Sequence, residues 1–340
     1  MTYHREIDGL RALAAIVVLA FHTNLPGFGG GFLGVDLFFV LSGFLTTSLL
    51  VPQIESFSPD GFRRFLSRRL WRLWPLLLAF CAILALALWL VGLGSPAALL
   101  NAALFLGNTD RAVLGYASYS VHTWSLAAEM QFYVLLALLA FVLRSARQLQ
   151  AALMAGFLAV TLCRVVFALS GDWGGGFYSP FAHSSGLFLG GLLATMPRRQ
   201  MHHAPVACAA ALLVLAAAVT VAVFRSYGAL LLWITFTELA TAVLLMALLS
   251  GRAGVVARVL GLRPLVWFGQ LSYGVYLWHY PLSVLLRDAL PPLVTFLATL
   301  VISLALAAAS FRWLEAPLRR YGNARTQRIR PSAPLHGATG

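Results

Sequence analysis

The chain has 340 residues, of which 60% are hydrophobic and only 10% are charged. Soluble domains carry about 25% charged residues, so this composition excludes a soluble globular protein and predicts an all-α, polytopic integral membrane protein surrounded by the lipid bilayer. The formal net charge of +13 does not indicate a nucleic-acid partner, because the chain has no soluble domain that would present a basic face.

Apolar segments of about 20 residues, the length that crosses a bilayer as a helix, follow one another along the chain. A shorter apolar segment, 97–106, predicts an interfacial or re-entrant helix. Apolar residues become rare after Tyr321, so we assign 1–323 to one transmembrane domain and 324–340 to a disordered cytoplasmic tail. We predict about ten transmembrane helices, over residues 9–26, 31–52, 74–94, 124–143, 149–170, 180–196, 204–224, 229–250, 265–287 and 291–314.

Arginines indicate which loops face the cytoplasm. If both termini are cytoplasmic, arginines concentrate in the inner loops, whereas the outer loops hold only Arg111, Arg225 and Arg287. The positive-inside rule describes this asymmetry, and we expect a multi-pass protein of the inner (plasma) membrane. Glu6 and Asp8 precede the first apolar run, where a secretion signal would be basic, so no cleaved signal peptide is expected.

Arg11 and His22 lie in the first predicted helix, eleven residues apart. At 3.6 residues per turn this spacing is three turns plus about 20°, so both side chains lie on one face, roughly 16 Å apart along the axis. Ionisable groups inside a membrane span are costly and usually face a protein interior or a wet cavity. The pair therefore predicts a common cavity with a fixed cation at one end and a titratable imidazole towards the other.

A glycine-rich turn joins the first two helices and brings His22 and Asp36 to a similar depth, where they could touch. A contacting carboxylate would fix the tautomer of the imidazole and raise its basicity. The alternative is that Asp36 only caps the second helix. Glu129, His183 and His279 enter from the same side in three further spans, so we expect five ionisable side chains in one layer. A buried, hydrogen-bonded structural role is the alternative for each of them.

The cytoplasmic half carries cations without acids. Arg68, Arg69 and Arg72 fall on neighbouring turns of a short predicted helix, and guanidinium groups match phosphate oxygens in charge and geometry. The alternative is an amphipathic interfacial helix whose arginines bind lipid headgroups. Arg164 and Glu238 lie in the middle of two other spans, and we expect them to form a structural ion pair. All three cysteines fall within predicted spans, so neither a disulfide nor a metal site is predicted.

Six motifs occur in a fixed order, and together they resemble the acyltransferase 3 family of multi-span membrane O-acyltransferases over nearly the whole chain. The motifs are Arg11 to His22 with ten residues between, Gly34–Phe44, Arg68–Pro75, Trp124–Tyr133, Ser272–Leu282 and Glu315–Arg319. The resemblance implies transfer of an acyl group, often acetyl, from a cytoplasmic coenzyme A thioester to a hydroxyl of a carbohydrate or glycosylated acceptor. Acyl coenzyme A would be a co-substrate, and the resemblance implies no permanently bound cofactor and no metal.

The resemblance also implies roles for particular residues. His22 would be the general base on the acceptor hydroxyl or a transient acyl carrier, oriented by Asp36 or Glu129. Four arginines are expected to bind the donor phosphates: Arg11, Arg68, Arg69 and Arg72. Five residues are expected to contact or support the acceptor: Trp124, His183, Tyr273, Trp278 and His279.

Two other classes of function share these features. A transporter or flippase for an acylated lipid or glycolipid would use the same cavity without cleaving a thioester. A membrane scaffold would use the polar groups only to hold its helices together. Some members of the family append a soluble esterase-like domain, and we expect this chain to lack one and to act alone or with a separate partner.

Overall fold

The computed structural model describes residues 3–92, 96–108, 119–197 and 200–327. Within these ranges every regular element is helical, as the composition predicts. Arg111 and the chain from residue 328 onwards, which includes most of the predicted tail, lie outside the described residues. In the described part the α-helices are α1 (Arg5–His22), α2 (Gly34–Leu50), α3 (Pro59–Leu90), α4 (Pro96–Ala103), α5 (Trp124–Val142), α6 (Ala146–Leu169), α7 (Trp173–Tyr178), α8 (Ser185–Thr195), α9 (Ala204–Val221), α10 (Ile234–Leu249), α11 (Gly254–Leu260), α12 (Arg263–Leu286), α13 (Pro292–Ser310) and α14 (Ala316–Gln327).

Each of the ten predicted spans coincides with one of these helices. In the described ranges, seven helical segments are long and apolar enough to cross a membrane: Gly31–Ser56, Pro59–Leu90, Val121–Val142, Ala146–Leu169, Ala204–Val221, Ala229–Leu249 and Pro292–Thr326. The predicted spans outside this set are α1, which carries four charged residues, α8, which has 11 residues, and α12, which is long but more polar. The count of ten and the cytoplasmic placement of both termini therefore stay predictions.

The basic segment is not a separate short helix, as the sequence had suggested. It forms the first half of α3, which continues for 32 residues through Pro75. Ser58 caps the start of this helix by accepting a hydrogen bond from the amide of Gly61 at 3.2 Å. Membrane helices tolerate an internal proline because neighbouring groups satisfy the freed backbone. The arginines and the third predicted span consequently lie on one continuous helix.

Two predictions at the edges of the domain have different outcomes. The short apolar segment 97–106 does form a short helix, α4, and the indole nitrogen of Trp74 donates to the carbonyl of Ala103 at its end, at 2.9 Å. The helix α14 continues past the predicted boundary at residue 323 to Gln327, and the division into a domain and a tail stays a prediction. Gly322 allows this helix to pack closely on α3, since a Cβ at that position would lie only 2.2 Å from Cγ of Trp71.

Glycines set the two helix contacts that position the polar residues. A Cβ at Gly43 of α2 would lie 2.0 Å from the carbonyl oxygen of Leu187 in α8, and one at Gly190 would lie 1.9 Å from that of Val40. Likewise, a Cβ at Gly269 of α12 would lie 1.8 Å from the carbonyl oxygen of Asp8 in α1. Small residues let membrane helices approach closely. The fold therefore pairs α2 with α8 and α1 with α12.

Candidate active site

A cavity of about 480 Å³ lies at the end of α1, where His22 is the last helical residue. We call it the histidine cavity. Its wall also includes His122 just before α5, Trp124 at the start of α5, and Tyr276 and Tyr280 from α12. Its volume falls within the range of ordinary small-molecule sites, which is roughly 300–1,000 Å³. The cavity is therefore large enough to admit a substrate to His22.

The hydrogen-bond partner of His22 is His279. Nδ1 of His22 lies 3.0 Å from Nε2 of His279, and Nδ1 of His279 lies 3.1 Å from the carbonyl oxygen of Val275. A carbonyl only accepts, so Nδ1 of neutral His279 donates to it and Nε2 of the same ring is left as an acceptor. Nδ1 of His22 then donates to His279, and Nε2 of His22 keeps its lone pair. The arrangement leaves His22 with the atom that a base or a nucleophile requires.

Asp36 does not contact His22. Its Oδ1 lies 2.9 Å from Nε2 of His183, and Nδ1 of His183 lies 2.7 Å from the carbonyl oxygen of Phe177. Both members of this pair are buried, and no side chain caps the start of α2, so the capping role is not realised either. The α2–α8 contact explains the difference, because it directs Asp36 towards the chain just before α8. Trp124 separates this pair from the histidine cavity, with its ring centroid 4.9 Å from that of His183.

Glu129 also lies away from His22. It accepts a hydrogen bond from the hydroxyl of Tyr133 and lines a second, narrower cavity of about 50 Å³ together with Arg11 and Arg72. We call this the arginine cavity. The residue is one and a half turns into α5 and lines this cavity, not the one that His22 lines. The expected layer of five ionisable side chains is thus divided: two histidine pairs lie near one end, and Glu129 lies with cations.

The four arginines expected at the donor site have different surroundings. Arg11 and Arg72 line the arginine cavity. Arg69 is buried, with its guanidinium carbon 5.6 Å from the ring centroid of Phe65 and 5.5 Å from that of Tyr133. Arg68 is exposed. The arginine cavity therefore contains two of the four cations.

Arg11 and His22 do not line one common cavity. They line two adjacent cavities that share Val35 and Tyr276 as a wall. The hydroxyl of Tyr276 donates to the carbonyl of His122 at 2.7 Å and lies 2.6 Å from Oγ of Ser125. These bonds hold the phenol ring between the two spaces.

The other residues expected to contact or support the acceptor are divided between the two cavities and the helix packing. Trp124 lines the histidine cavity, and Tyr273 lines the arginine cavity and donates to the carbonyl of Leu73 at 2.5 Å. Trp278 lines neither cavity, and its indole nitrogen donates to Oγ of Ser310 at 3.2 Å, which ties α12 to α13. Trp278 therefore lies outside both cavities, and a supporting role for it stays a prediction.

His122 is a cavity residue that the sequence reasoning did not select. Its ring is buried, stacks on Tyr280 with a centroid distance of 4.7 Å, and has no hydrogen-bond partner for either nitrogen among the described residues. Its centroid also lies 5.8 Å from that of His279. The sequence feature that could have identified His122 is its position two residues before Trp124, at the start of the fourth predicted span.

The expected pair of Arg164 and Glu238 is confirmed. Nη2 of Arg164 lies 3.9 Å from Oε2 of Glu238, and both side chains are fully buried. Ser185 bridges them, because its Oγ accepts from Nη1 of Arg164 at 2.6 Å and donates to Oε1 of Glu238 at 2.5 Å. Among the described residues, no three His, Cys, Asp or Glu side chains are grouped so that they could hold a metal ion.

Comparisons with known proteins agree with this architecture. The family model described as "Acyltransferase domain" matches residues 4–312. Peptidoglycan O-acetyltransferase OatA of Listeria monocytogenes is 29% identical over 94% of this chain, and O-acetyltransferase OatA of Staphylococcus aureus is 28% identical over 94%. The chain spans 56% and 58% of the lengths of these relatives, and no solved structure matches it significantly. Because the family model covers nearly all of the sequence, the chain belongs to the acyltransferase 3 family.

Proposed function

We propose that the protein is a membrane O-acyltransferase that moves an acyl group, acetyl in the first instance, from cytoplasmic acyl coenzyme A to a hydroxyl of a carbohydrate acceptor. The family supports acyl transfer, and the names of the Listeria and Staphylococcus relatives support acetyl as the group and a cell-wall glycan as the class of acceptor. The acceptor would enter the histidine cavity, and the donor would enter the arginine cavity from the cytoplasm.

The observation that carries this proposal is the hydrogen-bond chain from His22 through His279 to the carbonyl of Val275. It leaves the lone pair of Nε2 on His22 free to accept a proton, at a cavity large enough for a sugar. As general base, this atom takes the hydroxyl proton while the acceptor oxygen attacks the acyl carbonyl carbon. The carbon–sulfur bond then breaks, and the proton passes to the sulfur of coenzyme A. As acyl carrier, Nε2 would first attack the acyl carbon while the carbon–sulfur bond breaks and coenzyme A leaves as its thiolate. The acceptor hydroxyl would then attack the acyl carbon, the bond from this carbon to Nε2 would break, and the hydroxyl proton would pass to the thiolate.

The arginine cavity supports the placement of the donor. Arg11 and Arg72 present two guanidinium groups there, and such groups bind phosphate oxygens through charge-assisted hydrogen bonds. Since Tyr276 lies between this cavity and His22, the acyl end of the donor must pass the phenol ring before the transfer. The phosphates would stay on the arginine side.

The test is transfer of labelled acetyl groups by the full chain in lipid vesicles, with acetyl coenzyme A as donor and peptidoglycan glycan strands as acceptor. Replacing His22 by Ala is expected to lower transfer by about 10²–10⁴, because that is the usual contribution of a general base. His203→Ala is the matched control, since His203 is exposed at the start of α9 and its side chain makes no capping bond. Unchanged transfer by the His22 variant would refute the assignment.

The same assay separates an enzyme from a flippase. An acyltransferase releases coenzyme A over many turnovers only when the acceptor is present, and without acceptor it releases at most the single equivalent that an acyl carrier would form. Movement of acylated glycolipid across the membrane without release of coenzyme A would instead support the transporter.

A further inference from the structure

The histidine cavity carries a positive charge that the chemistry of His22 does not require. Arg225 and Arg287 both line it, and no carboxylate lines it in the described part of the chain. Neither arginine forms an ion pair with a described Asp or Glu. A guanidinium beside an enclosed space and without an anionic neighbour is available for a ligand of opposite charge.

The two arginines are also unusual in their predicted location. The outer loops of the predicted topology hold only three arginines, and two of them line this one cavity. Because arginine is depleted from outer loops, its presence at both positions calls for a local cause. A ligand that binds both of them would be such a cause.

The backbone holds Arg225 in an unfavourable conformation. Its φ is 65°, in the left-handed region that residues other than glycine rarely adopt. The preceding residue, Phe224, fixes the loop, because its ring centroid lies 5.0 to 5.4 Å from those of Trp173, Phe21, Phe32 and Phe177. The Arg225 guanidinium lies 6.0 Å from the Phe224 ring centroid. The aromatic cluster therefore holds the cation beside the cavity.

Arg287 approaches the cavity from another element. It follows directly after the last residue of α12, the helix that carries His279 and Tyr280, and it is half-buried. A cation at a helix C-terminus is favourable in any case, so Arg287 alone would be explained by the helix. The loop holding Arg225 has no such explanation, and the two cations come from different elements to one cavity.

We propose that the histidine cavity binds an acceptor sugar that carries an anionic group, a carboxylate or a phosphate, and that Arg225 and Arg287 bind this group while a hydroxyl meets His22. This inference rests on the proposed function, because it specifies the substrate of the same site. Guanidinium groups bind carboxylate and phosphate in the same forked geometry, so the chemistry is shared and the probes must separate the two.

Sugar binding to the full chain in lipid nanodiscs tests the proposal without any donor, with tryptophan fluorescence as readout because Trp124 lines the cavity. The probes are N-acetylmuramic acid, N-acetylglucosamine 6-phosphate and neutral N-acetylglucosamine. We expect at least one anionic probe to bind about tenfold more tightly than the neutral sugar. This ratio corresponds to about one charge-assisted contact. Which anionic probe binds more tightly identifies the carboxylate or the phosphate as the natural group. Raising the salt from about 0.05 M to about 0.5 M should reduce the preference.

Arg225→Gln and Arg287→Gln should each reduce the preference several-fold, and the double variant should abolish it. Arg252→Gln is the matched control, because Arg252 is exposed, lies outside the cavity and contacts Gln200 and His202. Equal affinity for charged and neutral sugars in the wild type overturns the proposal. A preference for the anionic sugar that survives the double substitution also overturns it. A preference that is lost only when anionic lipid is removed overturns it as well. The salt series with the wild type decides the matter if the double variant fails to insert.

The test is independent of catalysis. His22→Ala should lose transfer but keep the preference for the anionic sugar. If the wild type shows the preference and no transfer, the proposed function fails while the anion site stands. If it shows transfer and no preference, only the present inference fails.

Discussion

Two side-chain pairs that contain histidine, His22 with His279 and His183 with Asp36, lie in the same part of the molecule. They differ in which atom is left without a hydrogen-bond partner. In the pair of His183 and Asp36, both residues are buried and both ring nitrogens of the histidine have partners, while Oδ2 of Asp36 has no hydrogen-bond partner among the described residues. In the pair of His22 and His279, one nitrogen of His22 is left over, and the residue lines a cavity. The carboxylate partner, which is the usual sign of an activated histidine, thus belongs to the pair that lines neither cavity. The pair that lines the histidine cavity is the one suited to chemistry.

The largest effect should come from removing the carboxylate of Asp36, and we expect this effect on folding. Asp36→Ala leaves His183 buried without its partner, and breaking a buried pair in this way costs about 3–5 kcal/mol. We expect a large loss of correctly inserted protein and a lower melting temperature of what remains. Transfer per folded molecule should change little.

Asp288→Ala is the control for this variant, because Asp288 is an exposed carboxylate. A stable, correctly inserted Asp36→Ala protein without activity would contradict this comparison of the two pairs. It would mean that Asp36 takes part in the reaction and is not needed for folding.

Replacing the partner of His22 should affect activity more than folding. In His279→Phe, the phenyl ring fills the space of the imidazole but cannot accept the hydrogen bond from Nδ1 of His22. The His22 ring therefore loses its orientation and its fixed tautomer. We expect transfer to fall roughly 10²-fold, the lower end of what a general base contributes, with a nearly unchanged melting temperature. Labelled-acetyl transfer in vesicles measures the change.

The double variant sharpens this result. If His279 acts only through His22, then adding His279→Phe to His22→Ala should cause no further loss, because residues of one network are not additive. A further tenfold drop would mean that His279 has its own contact with substrate.

The smallest effect should come from His122, the third histidine beside the cavity. His122→Phe keeps the aromatic stack on Tyr280 and removes two ring nitrogens that have no partner among the described residues. If a nitrogen binds the acceptor, the KM for acceptor should rise roughly fivefold, equivalent to about 1 kcal/mol for one hydrogen bond, with kcat nearly unchanged. An unchanged KM would restrict His122 to packing.

Hydropathy predicted the helices well because the length of an apolar run directly encodes a membrane crossing. It also gave the depth of each polar residue, which is why His22, Asp36, His183 and His279 were expected close together. Depth does not give the direction of a side chain around its helix axis or the identity of the neighbouring helix. The partner of α1 is α12, about 250 residues away in sequence, and that pairing depends on close contacts such as Gly269 against Asp8.

The basic segment shows the same limit in another form. The arginine pattern predicted a helix correctly, but the prediction of a short helix missed that it continues through Pro75 into the next predicted span. Continuity through the proline depends on the surrounding helices, which a local sequence pattern does not contain. The missed residue His122 is similar, because its importance comes from the rings of Tyr280 and His279 that surround it.

The bonds of Tyr276 have a consequence for the order of events. Its hydroxyl is fastened to the backbone of His122 and lies beside Ser125, at the start of the helix that also carries Trp124. Any rotation of the phenol that joins the two spaces breaks those bonds and frees the segment that walls the histidine cavity. If the donor enters the arginine cavity as proposed, its arrival at Tyr276 would loosen the wall on the other side, so that delivery of the acyl group and reshaping of the proposed acceptor pocket would become a single movement.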